Sequence, residues 1–393
     1  MVNLYDSKEE CSGCTACKCI CPKEAIKMEA DAEGFLYPVI NSEDCIECGL
    51  CKQVCPFRNG YKTPQDNPQF GVYAVKNKSN EIRAASTSGG MFTAISDFVL
   101  EGGGAVFGAV FDKDLKVIHK KAETKKERSK LRGSKYVQSD LQRIFCEAKQ
   151  CLDNDQLVLF TGTPCQTAGL FSFLDRTKTD KAGLYMCDLV CHGTPSPLVW
   201  KEYIDFLSNK YRSRVIDYNF RYLWRGINVQ ASFENGGKVT NGADLATYMN
   251  IFFLHTALRP SCHNCKFCNF SRPSDITIAD YWGIENAMPE FVDDLGVSLV
   301  MVNSEKGREL FENIEYKLVY RVSNTTDCIQ PNLEAPSWKS DKREDFWKDF
   351  HEYGYLYVAK KYGRYDFISR YKYAIKKTLK SIYLIKNNSV YSK

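Results

Sequence analysis

Two short stretches of the chain are rich in cysteine. The first, CSGCTACKCICP, begins at Cys11, and the second, CIECGLCKQVCP, begins at Cys45. Each contains three cysteines at three-residue intervals, a fourth after three intervening residues, and then proline. A cubane [4Fe–4S] cluster needs four thiolates, and three at this spacing can surround one cluster from a single loop. The chemistry that these residues predict is therefore one-electron transfer.

The fourth cysteine of each motif points away from its own loop and is predicted to bind the other cluster. Cluster I is assigned to Cys11, Cys14, Cys17 and Cys55. Cluster II is assigned to Cys45, Cys48, Cys51 and Cys21. Zinc sites are the alternative, but zinc usually takes paired C-x2-C ligands.

Proline after each fourth cysteine suits the first turn of a helix, because proline lacks the N–H that such a turn leaves unused. Pro22 and Pro56 are therefore expected to begin helices. Between the motifs, GFLYPVIN from Gly34 has the composition of a strand. Together these features predict a bacterial-type ferredoxin fold over residues 1–60, with Cys19 as a bystander.

A third cysteine group lies far along the chain. Cys262, Cys265 and Cys268 repeat the three-residue spacing, but no Cys-Pro follows them. Three thiolates from one loop and one distant cysteine would complete a third cubane. The alternative is a zinc site with His263 as a ligand.

Two strand–loop–helix units supply candidates for the distant ligand. QLVLF runs into TGTPCQ, which contains Cys165, and GLYMCDLV runs into CHGTPSP, which contains Cys191. Ligands of open α/β sheets bind at the carboxyl ends of strands, so Cys165 and Cys191 are both expected at such a site. Cys187, inside the second strand, is expected to be a buried apolar residue.

Composition sets wider limits. The 393 residues are 44% hydrophobic and 13% aromatic, which allows a sizeable core in more than one domain. Eighteen cysteines in so long a chain indicate metal or redox chemistry rather than disulfides. The polar N-terminus lacks a signal-peptide core and no apolar run reaches ~18 residues, so a cytoplasmic location is expected. The net charge of +5 argues against a nucleic-acid partner.

Positive charge is concentrated at the C-terminus. From Tyr355 to Lys393 the chain has ten Lys or Arg residues and one acidic residue, Asp366, a balance of +9 that leaves −4 elsewhere. Residues 341–393 are expected to form a basic, aromatic, helical tail that packs on the body. The alternative is a surface that contacts an acidic partner or, peripherally, a membrane with anionic lipids.

Two further segments could contact an anionic cofactor. Small residues at 86–90, Ser86, Thr87, Ser88, Gly89 and Gly90, precede a helix predicted over Met91–Leu100, and open N–H groups at a helix start attract anions. In RGSKY, Lys135 and Tyr136 could hold a phosphate and stack on a ring. A capping turn and a surface turn are the respective alternatives.

Several stretches in order along residues 10–310 resemble one family: STSGGMFTA, RGSKYVQS, GTPCQ, DLVCHGTPSP, RPSCHNC, RPSDITIADYWG and GVSLVMVNS. The chain resembles the beta subunits of hydrogenases and dehydrogenases that use the deazaflavin coenzyme F-420. The resemblance implies FAD in an α/β body, contacted by Ser86–Gly90, Lys135 and Tyr136, beside the cluster of Cys262, Cys265 and Cys268.

The fold class expected is α+β: a ferredoxin fold (1–60), a linker at 58–69, a larger α/β flavin-binding body in two parts (70–150 and 151–340), and the basic tail. The expected function is an iron–sulfur flavoprotein oxidoreductase. It would pass electrons between a reduced carrier such as ferredoxin and a small organic or deazaflavin substrate. The alternatives are a non-catalytic electron-transfer subunit that serves a redox partner subunit, and a zinc-stabilised binding protein. No catalytic residue is assigned.

Overall fold

The computed structural model describes residues 3–62, 71–222 and 228–371. The strands are β1 (Ile26–Ala30), β2 (Leu36–Ile40), β3 (Gly71–Asn77), β4 (Ala105–Phe111), β5 (Val117–Ala122), β6 (Val158–Gly162), β7 (Leu184–Leu189), β8 (Val215–Asn219), β9 (Gln230–Phe233), β10 (Lys238–Thr240), β11 (Ile276–Asp280), β12 (Ser298–Val302) and β13 (Leu318–Ser323). The helices are α1 (Ala16–Ile20), α2 (Leu50–Gln53), α3 (Pro56–Asn59), α4 (Asn80–Ala84), α5 (Met91–Glu101), α6 (Lys125–Ser129), α7 (Ile144–Asp153), α8 (Pro164–Arg176), α9 (Pro197–Tyr211), α10 (Ala246–Phe253), α11 (Ile284–Ala287), α12 (Glu305–Ile314), α13 (Pro331–Glu334) and α14 (Arg343–Lys361). Short 3₁₀ turns lie at Lys8–Glu10, Pro260–Asn264, Pro289–Phe291 and Glu315–Lys317.

The two N-terminal cysteine motifs adopt closely similar backbone conformations. Gly13 and Glu47 occupy equivalent positions and both have positive φ, at 71° and 51°. Thr15 and Gly49, also equivalent, precede α1 and α2 with φ of 63° and 74°. This internal repeat, with β1 and β2 paired antiparallel between the motifs, is the ferredoxin-like arrangement that the cysteine spacing predicts.

The two prolines behave differently. Pro56 begins α3, as expected. The expectation for Pro22 is wrong, because a turn follows Cys21, closed by the Glu24 N–H donating to the Cys21 carbonyl at 3.2 Å. Glu24 itself has a φ of 51°, and β1 begins only two residues later, so the chain has no room for a helix there.

The body is built around one large sheet. In the described residues its strand order is β13-β3-β12-β11-β7-β6-β4-β5. The central strands β4, β6, β7 and β11 are parallel, and the outer ones are antiparallel to their neighbours. Strands β3, β4 and β5 come from 70–150 and the other five from 151–340, so the two parts of the body share one sheet.

Helices cover both faces of this sheet, which explains why its parallel strands are continuous apolar runs. On one face α5 and α12 pack over Val106, Leu159 and Val300. Cys187 is buried on this face, as expected of an apolar residue. On the other face α7 and α8 pack over Phe107 and Phe160, and the ferredoxin segment adds Ala16 and Val54.

A second core, rich in aromatic residues, lies beside the sheet. Strands β8, β9 and β10 form a small antiparallel sheet there, against α9, α10 and α14. The Trp200 ring meets the Tyr248 ring edge-on and lies tilted against the Phe220 ring, with centroids 5.1 and 5.0 Å apart. Phe346 and Tyr355 of α14 are buried in the same cluster. Helix α14 therefore packs on the body, and the most basic part of the tail, 372–393, lies outside the described residues.

The ferredoxin segment is packed against the body. Gly34 has a φ of +80°, and a Cβ there would lie 2.3 Å from Leu198 Cβ on α9. Ser196 Oγ donates to the Glu33 carbonyl at 2.5 Å, and Arg343 of α14 forms an ion pair with the Glu33 carboxylate. The linker expected at 58–69 overlaps the end of α3, and its residues 63–69 lie outside the described residues. None of the helices in the described segments has the length and apolar character of a membrane span.

Candidate redox centre

Two cavities in the described ferredoxin segment correspond to the two predicted clusters. One, of about 370 Å³ including space open to solvent, is lined by Cys45, Cys48, Cys51 and the crossing ligand Cys21. The other, of about 420 Å³, is lined by Cys11, Cys14, Cys17 and the crossing ligand Cys55. Cys51 borders both cavities, so the two sites are neighbours. The structure thus brings each predicted ligand set to its own cavity.

The thiols of the second cavity are close together and shielded from water. Burial raises the pKa of Cys14 and of Cys17 above the ordinary range, and neighbouring Cys11 and Cys55 raise it further. Thiolates packed this way are unfavourable unless a cation compensates them, and coordination to a metal deprotonates a thiol outright. The donor set therefore fits a cluster of iron ions bridged by sulfide.

Five more cysteines gather at the carboxyl edge of the sheet. Cys165 is in the first turn of α8, after β6, and Cys191 follows β7. Burial raises the pKa of Cys191 well above its usual range, and Cys262, Cys165 and Cys265 add to the effect. A hydrogen bond with Cys265 lowers the pKa of Cys268, and the nearby Cys191 acts in the opposite direction. Both candidates for the distant ligand thus lie with the triplet.

Backbone N–H groups point at several of these sulfurs. The N–H of Gly193 donates to Cys191 Sγ at 3.4 Å, that of Thr194 to Cys262 Sγ at 3.4 Å, and that of Phe267 to Cys265 Sγ at 3.5 Å. Such donors stabilise thiolates and tune the potentials of iron–sulfur clusters. Gly193 has a φ of +103°, and a Cβ there would lie 3.3 Å from the Cys262 Cβ, so glycine keeps the two loops close.

A buried arginine anchors the loop of the third group. Arg272 is 2% exposed and donates to the Phe267 carbonyl at 2.8 Å. It also donates to the Asp188 carboxylate and to the Leu189 carbonyl, both at 2.9 Å, at the end of β7. The loop is therefore fixed to the strand that leads to Cys191.

The third group lies next to the cluster I cavity. Cys55 of that cavity and Cys165 and Cys265 of the third group pack against one buried apolar cluster, formed by Phe57, Ala168 and Phe267. On the same helix as Cys165, Gly169 faces Cys14, and a Cβ there would lie 3.0 Å from Cys14 Sγ. The two sites thus share one wall, and apolar side chains exclude water from it.

His263 adjoins the triplet, but its ring lies against another segment. Its Nδ1 is 2.9 Å from the Ser337 carbonyl. Beyond it, His192 Nε2 and His255 Nε2 approach each other at 2.7 Å. In the described residues, no group of three or more His, Cys, Asp or Glu residues has the geometry of a site for a single metal ion.

The loops proposed for a flavin meet at the same edge of the sheet. Gly89 packs on β3 so closely that a Cβ would lie 2.2 Å from the Val75 carbonyl oxygen. Thr87 approaches Gly133 of the RGSKY turn, where a Cβ would lie 3.9 Å from the Thr87 methyl carbon. Val75 pairs with Ser298, and Ser298 with Asp280 at the end of β11. The 86–90 loop and the strand ends therefore border one region.

Lys135 and Tyr136 have different surroundings. Lys135 Nζ donates to the carbonyls of Lys130, Leu131 and Arg132 at 2.8–3.2 Å, and desolvation lowers the pKa of its amine to about 7. The Tyr136 hydroxyl is 3.4 Å from Arg221, whose guanidinium pairs with Asp280 at 2.7 Å. The strand-exit aspartate is therefore linked to the turn through an arginine.

Cys19, expected to be a bystander, has a thiol partner in the body. Its side chain hydrogen-bonds to Cys146 on α7. That hydrogen bond, with the nearby Arg143 guanidinium, lowers the pKa of Cys146 to about 6. Neither cysteine lines either cavity of the ferredoxin segment. Cys146 is therefore the thiol outside the ligand sets that should be ionised at neutral pH.

We expect Cys146 to react with iodoacetamide at pH 7, at a rate that changes little as the pH rises further. Alkylation of a thiol of ordinary pKa, by contrast, becomes faster as the pH rises to about 8.5. Cys151, on the same helix, is the matched control, because burial raises its pKa. Cys19→Ala, which removes the thiol donor, should slow alkylation of Cys146 at pH 7. Equal labelling of Cys146 and Cys151, measured by mass spectrometry, would contradict this.

Two buried arginines, Arg259 and Arg272, were not among the residues predicted from the sequence. Both are at most 2% exposed, and they flank the third cysteine loop. Each begins the tripeptide Arg-Pro-Ser, at 259–261 and at 272–274. This repeat beside a cysteine triplet was the signal that could have indicated them.

Two segments of the chain match known protein families. Residues 155–327 match a family described as the C terminus of the coenzyme F420 hydrogenase/dehydrogenase beta subunit, and residues 10–59 match the 4Fe-4S dicluster domain. A solved chain of the F420-reducing [NiFe] hydrogenase complex from Methanosarcina barkeri aligns at 19% identity, over 65% of this chain and 82% of that chain, with a TM-score of 0.47. No curated protein sequence matches the chain.

The two family matches confirm the resemblance stated from the motifs. The cysteines of the first two motifs fall in the dicluster domain, and Cys165, Cys191 and the triplet fall in the second match. The protein is an iron–sulfur redox protein with a 4Fe–4S dicluster domain at residues 10–59, and its residues 155–327 are related to the C terminus of the coenzyme F420 hydrogenase/dehydrogenase beta subunit.

Proposed function

We propose that the protein is an iron–sulfur flavoprotein oxidoreductase that passes electrons between a reduced carrier protein, such as ferredoxin, and a small organic substrate. It would hold three [4Fe–4S] clusters and one FAD. The observation that carries the proposal is the apolar wall shared by Cys55, Cys165 and Cys265. It makes the third cysteine group the neighbour of the ferredoxin clusters, within the body that would bind the flavin.

FAD would supply a group that exchanges both single electrons and hydride, which links clusters to organic substrates. The chain offers α5 as a site for its phosphates. Gly90 has a φ of 88° and no side chain caps the N–H groups of the first turn of α5, whose positive end favours an anion. This part of the predicted site fits the cofactor.

Lys135 fits a supporting role better than a direct phosphate contact. Its amine is held by three carbonyls, which fix the RGSKY turn beside Thr87. With a pKa of about 7, part of the population is neutral at physiological pH and less attractive to phosphate. We therefore propose that Lys135 shapes the loop and that Tyr136 and the α5 N-terminus contact the flavin.

Replacing Lys135 with alanine should lower the ratio of FAD to protein while the iron content stays at the wild-type value. The turn would lose its three hydrogen bonds, whereas the cysteine sites do not depend on it. FAD released by acid and iron bound per chain are the two measurements. Lys130→Ala is the control, since only the backbone carbonyl of Lys130 takes part. Full flavin occupancy in the Lys135 variant would remove this residue from the site.

An electron carrier would approach at the cluster II cavity. Cys48 is exposed there, and the neighbouring Ile46 is 57% exposed. The cluster I cavity, by contrast, lies toward the body. This polarity supports entry of electrons at the outer loop and transfer inward toward the third group.

The substrate is proposed only as a small organic molecule that accepts hydride, and the deazaflavin named by the family is one candidate. The family is described as a beta subunit, which supports the second candidate function, an electron-transfer subunit that works with redox partner subunits. Turnover by the isolated chain separates the two. We expect anaerobic protein with reduced ferredoxin to reduce its own flavin and then a deazaflavin or another acceptor. Flavin reduction without turnover of any acceptor would favour the second candidate.

A further inference from the structure

One buried charge lies between the two inner cysteine sites. Arg259 is 1% exposed and directly precedes the 3₁₀ turn that carries Cys262. Its Nε donates to the Cys11 carbonyl at 2.7 Å, and its Nη2 lies 3.6 Å from Cys11 Sγ. The guanidinium carbon also sits 4.1 Å from the centre of the Tyr37 ring. A residue of the body thus reaches a ligand of cluster I.

The partners of this guanidinium in the described chain are uncharged groups. Its remaining donors reach the Leu36 carbonyl at 3.0 Å and the Gln138 side-chain oxygen at 2.9 Å. The acidic residues of this region are engaged elsewhere, since Asp31 pairs with Lys8 and Glu33 pairs with Arg343. A buried cation without a counter-ion is unfavourable, so a negative group is expected within its reach.

The cysteine sites supply that negative group. Cys11 Sγ is in contact with the guanidinium. On the other side, the backbone carbonyl of Arg259 accepts a hydrogen bond from the Cys262 N–H at 2.9 Å. Arg259 therefore contacts a thiol of cluster I with its guanidinium, and its backbone is fixed to the ligand loop of the third group.

We propose that Arg259 sets the reduction potential of cluster I and couples that cluster to the third group. This inference rests on the proposed function, because it requires the clusters to be bound. A cationic donor beside a ligand sulfur stabilises the more negative, reduced form and raises the potential. Cluster II has an exposed ligand loop and no such contact from Arg259. One electron added to clusters I and II should therefore reside preferentially on cluster I, which is the cluster nearer the body.

The experiment is a redox titration of the anaerobic holoprotein, followed by electron paramagnetic resonance, with the electron supplied by dithionite through mediators. Arg259→Gln removes the charge, and Arg259→Lys keeps it. In the Gln variant we expect the equilibrium constant for one-electron reduction of cluster I to fall at least tenfold. This corresponds to a reduction potential lower by about 59 mV. In the Lys variant the shift should be smaller than this. Arg128→Gln, which removes a buried guanidinium paired to Asp97 on α5, is the control and should leave the potentials unchanged.

Wild-type potentials in an iron-replete Gln variant would overturn the inference, as would equal shifts in the Gln and Lys variants. If the Gln variant loses iron, the Lys variant decides. If the Lys variant retains its iron and its reduction equilibrium shifts less than tenfold, the role of the charge is supported. If the Lys variant also loses iron, that role is contradicted. Absence of cluster signals from the wild-type protein would instead refute the proposed function.

Discussion

Replacing Cys265 with serine should remove about four of the about twelve irons that three cubanes bring to the chain. The variant should also lose electron transfer from reduced ferredoxin to flavin. Cys265 lies between the Phe57–Phe267 wall and the other cysteines of the third group, so a cluster there is the proposed connection between cluster I and the body. Iron analysis and stopped-flow flavin absorbance measure the two effects.

The half-reaction that follows flavin reduction serves as an internal control for this variant. Chemically reduced flavin should still be reoxidised by an acceptor, because that step does not need the third group. Cys328→Ser tests whether loss of any buried thiol has the same effect, since Cys328 is fully buried in a different core. Wild-type flavin reduction in the Cys265 variant would return this loop to a structural role.

A second large effect should distinguish the two candidates for the distant ligand. We expect Cys191→Ser to lose the third cluster and Cys165→Ser to keep it. Cys191 is close to Cys262, Cys265 and Cys268, whereas Cys165 also faces Cys14 of cluster I. Cys165 Sγ has a hydrogen-bond partner of its own in the Thr163 hydroxyl, at 3.2 Å.

Iron content and the low-temperature spectrum of the reduced variants decide between these ligands. Each substitution is the matched control of the other, because both remove a buried thiol from the same group. The opposite result, with iron lost from the Cys165 variant alone, would assign Cys165 as the ligand. Loss from neither variant would mean that the triplet binds something other than a cubane.

The ferredoxin segment was predictable because its information is local. The spacing from Cys11 to Cys21 and from Cys45 to Cys55 assigns three ligands to each loop and one to the other, and the cavities follow that assignment. The start of strand β4 at Ala105 is also encoded locally, because three glycines precede an apolar run. Pro22 was the exception, since the turn at Glu24 depends on where β1 begins.

Contacts between distant segments were not predictable. The packing of Gly34 on Leu198 and the pairing of Glu33 with Arg343 join residues more than 150 positions apart, and no local pattern records them. The polar linker suggested a separate ferredoxin domain. In the structure Phe35 and Tyr37 of the ferredoxin segment are buried in the aromatic core of the body, so the two pack against each other. Arg259 belongs to the same class of contact.

The loops expected to bind the flavin were predictable only in part. Residue types at 86–90 indicated a helix start, and α5 does begin at Met91. The direction of the Lys135 amine, toward three carbonyls, depends on how the RGSKY turn closes after α6. The FAD site at this edge of the sheet is a prediction that the flavin content of the purified protein tests.

The presence of three cubane clusters and a flavin can be tested in one anaerobic preparation. Iron, acid-labile sulfide, zinc and FAD should be measured in the same sample of purified protein. We expect about twelve irons and about twelve sulfides per chain, one FAD and no stoichiometric zinc. About eight irons with one zinc per chain and no flavin would contradict this expectation, and would make the third cysteine group a structural zinc site.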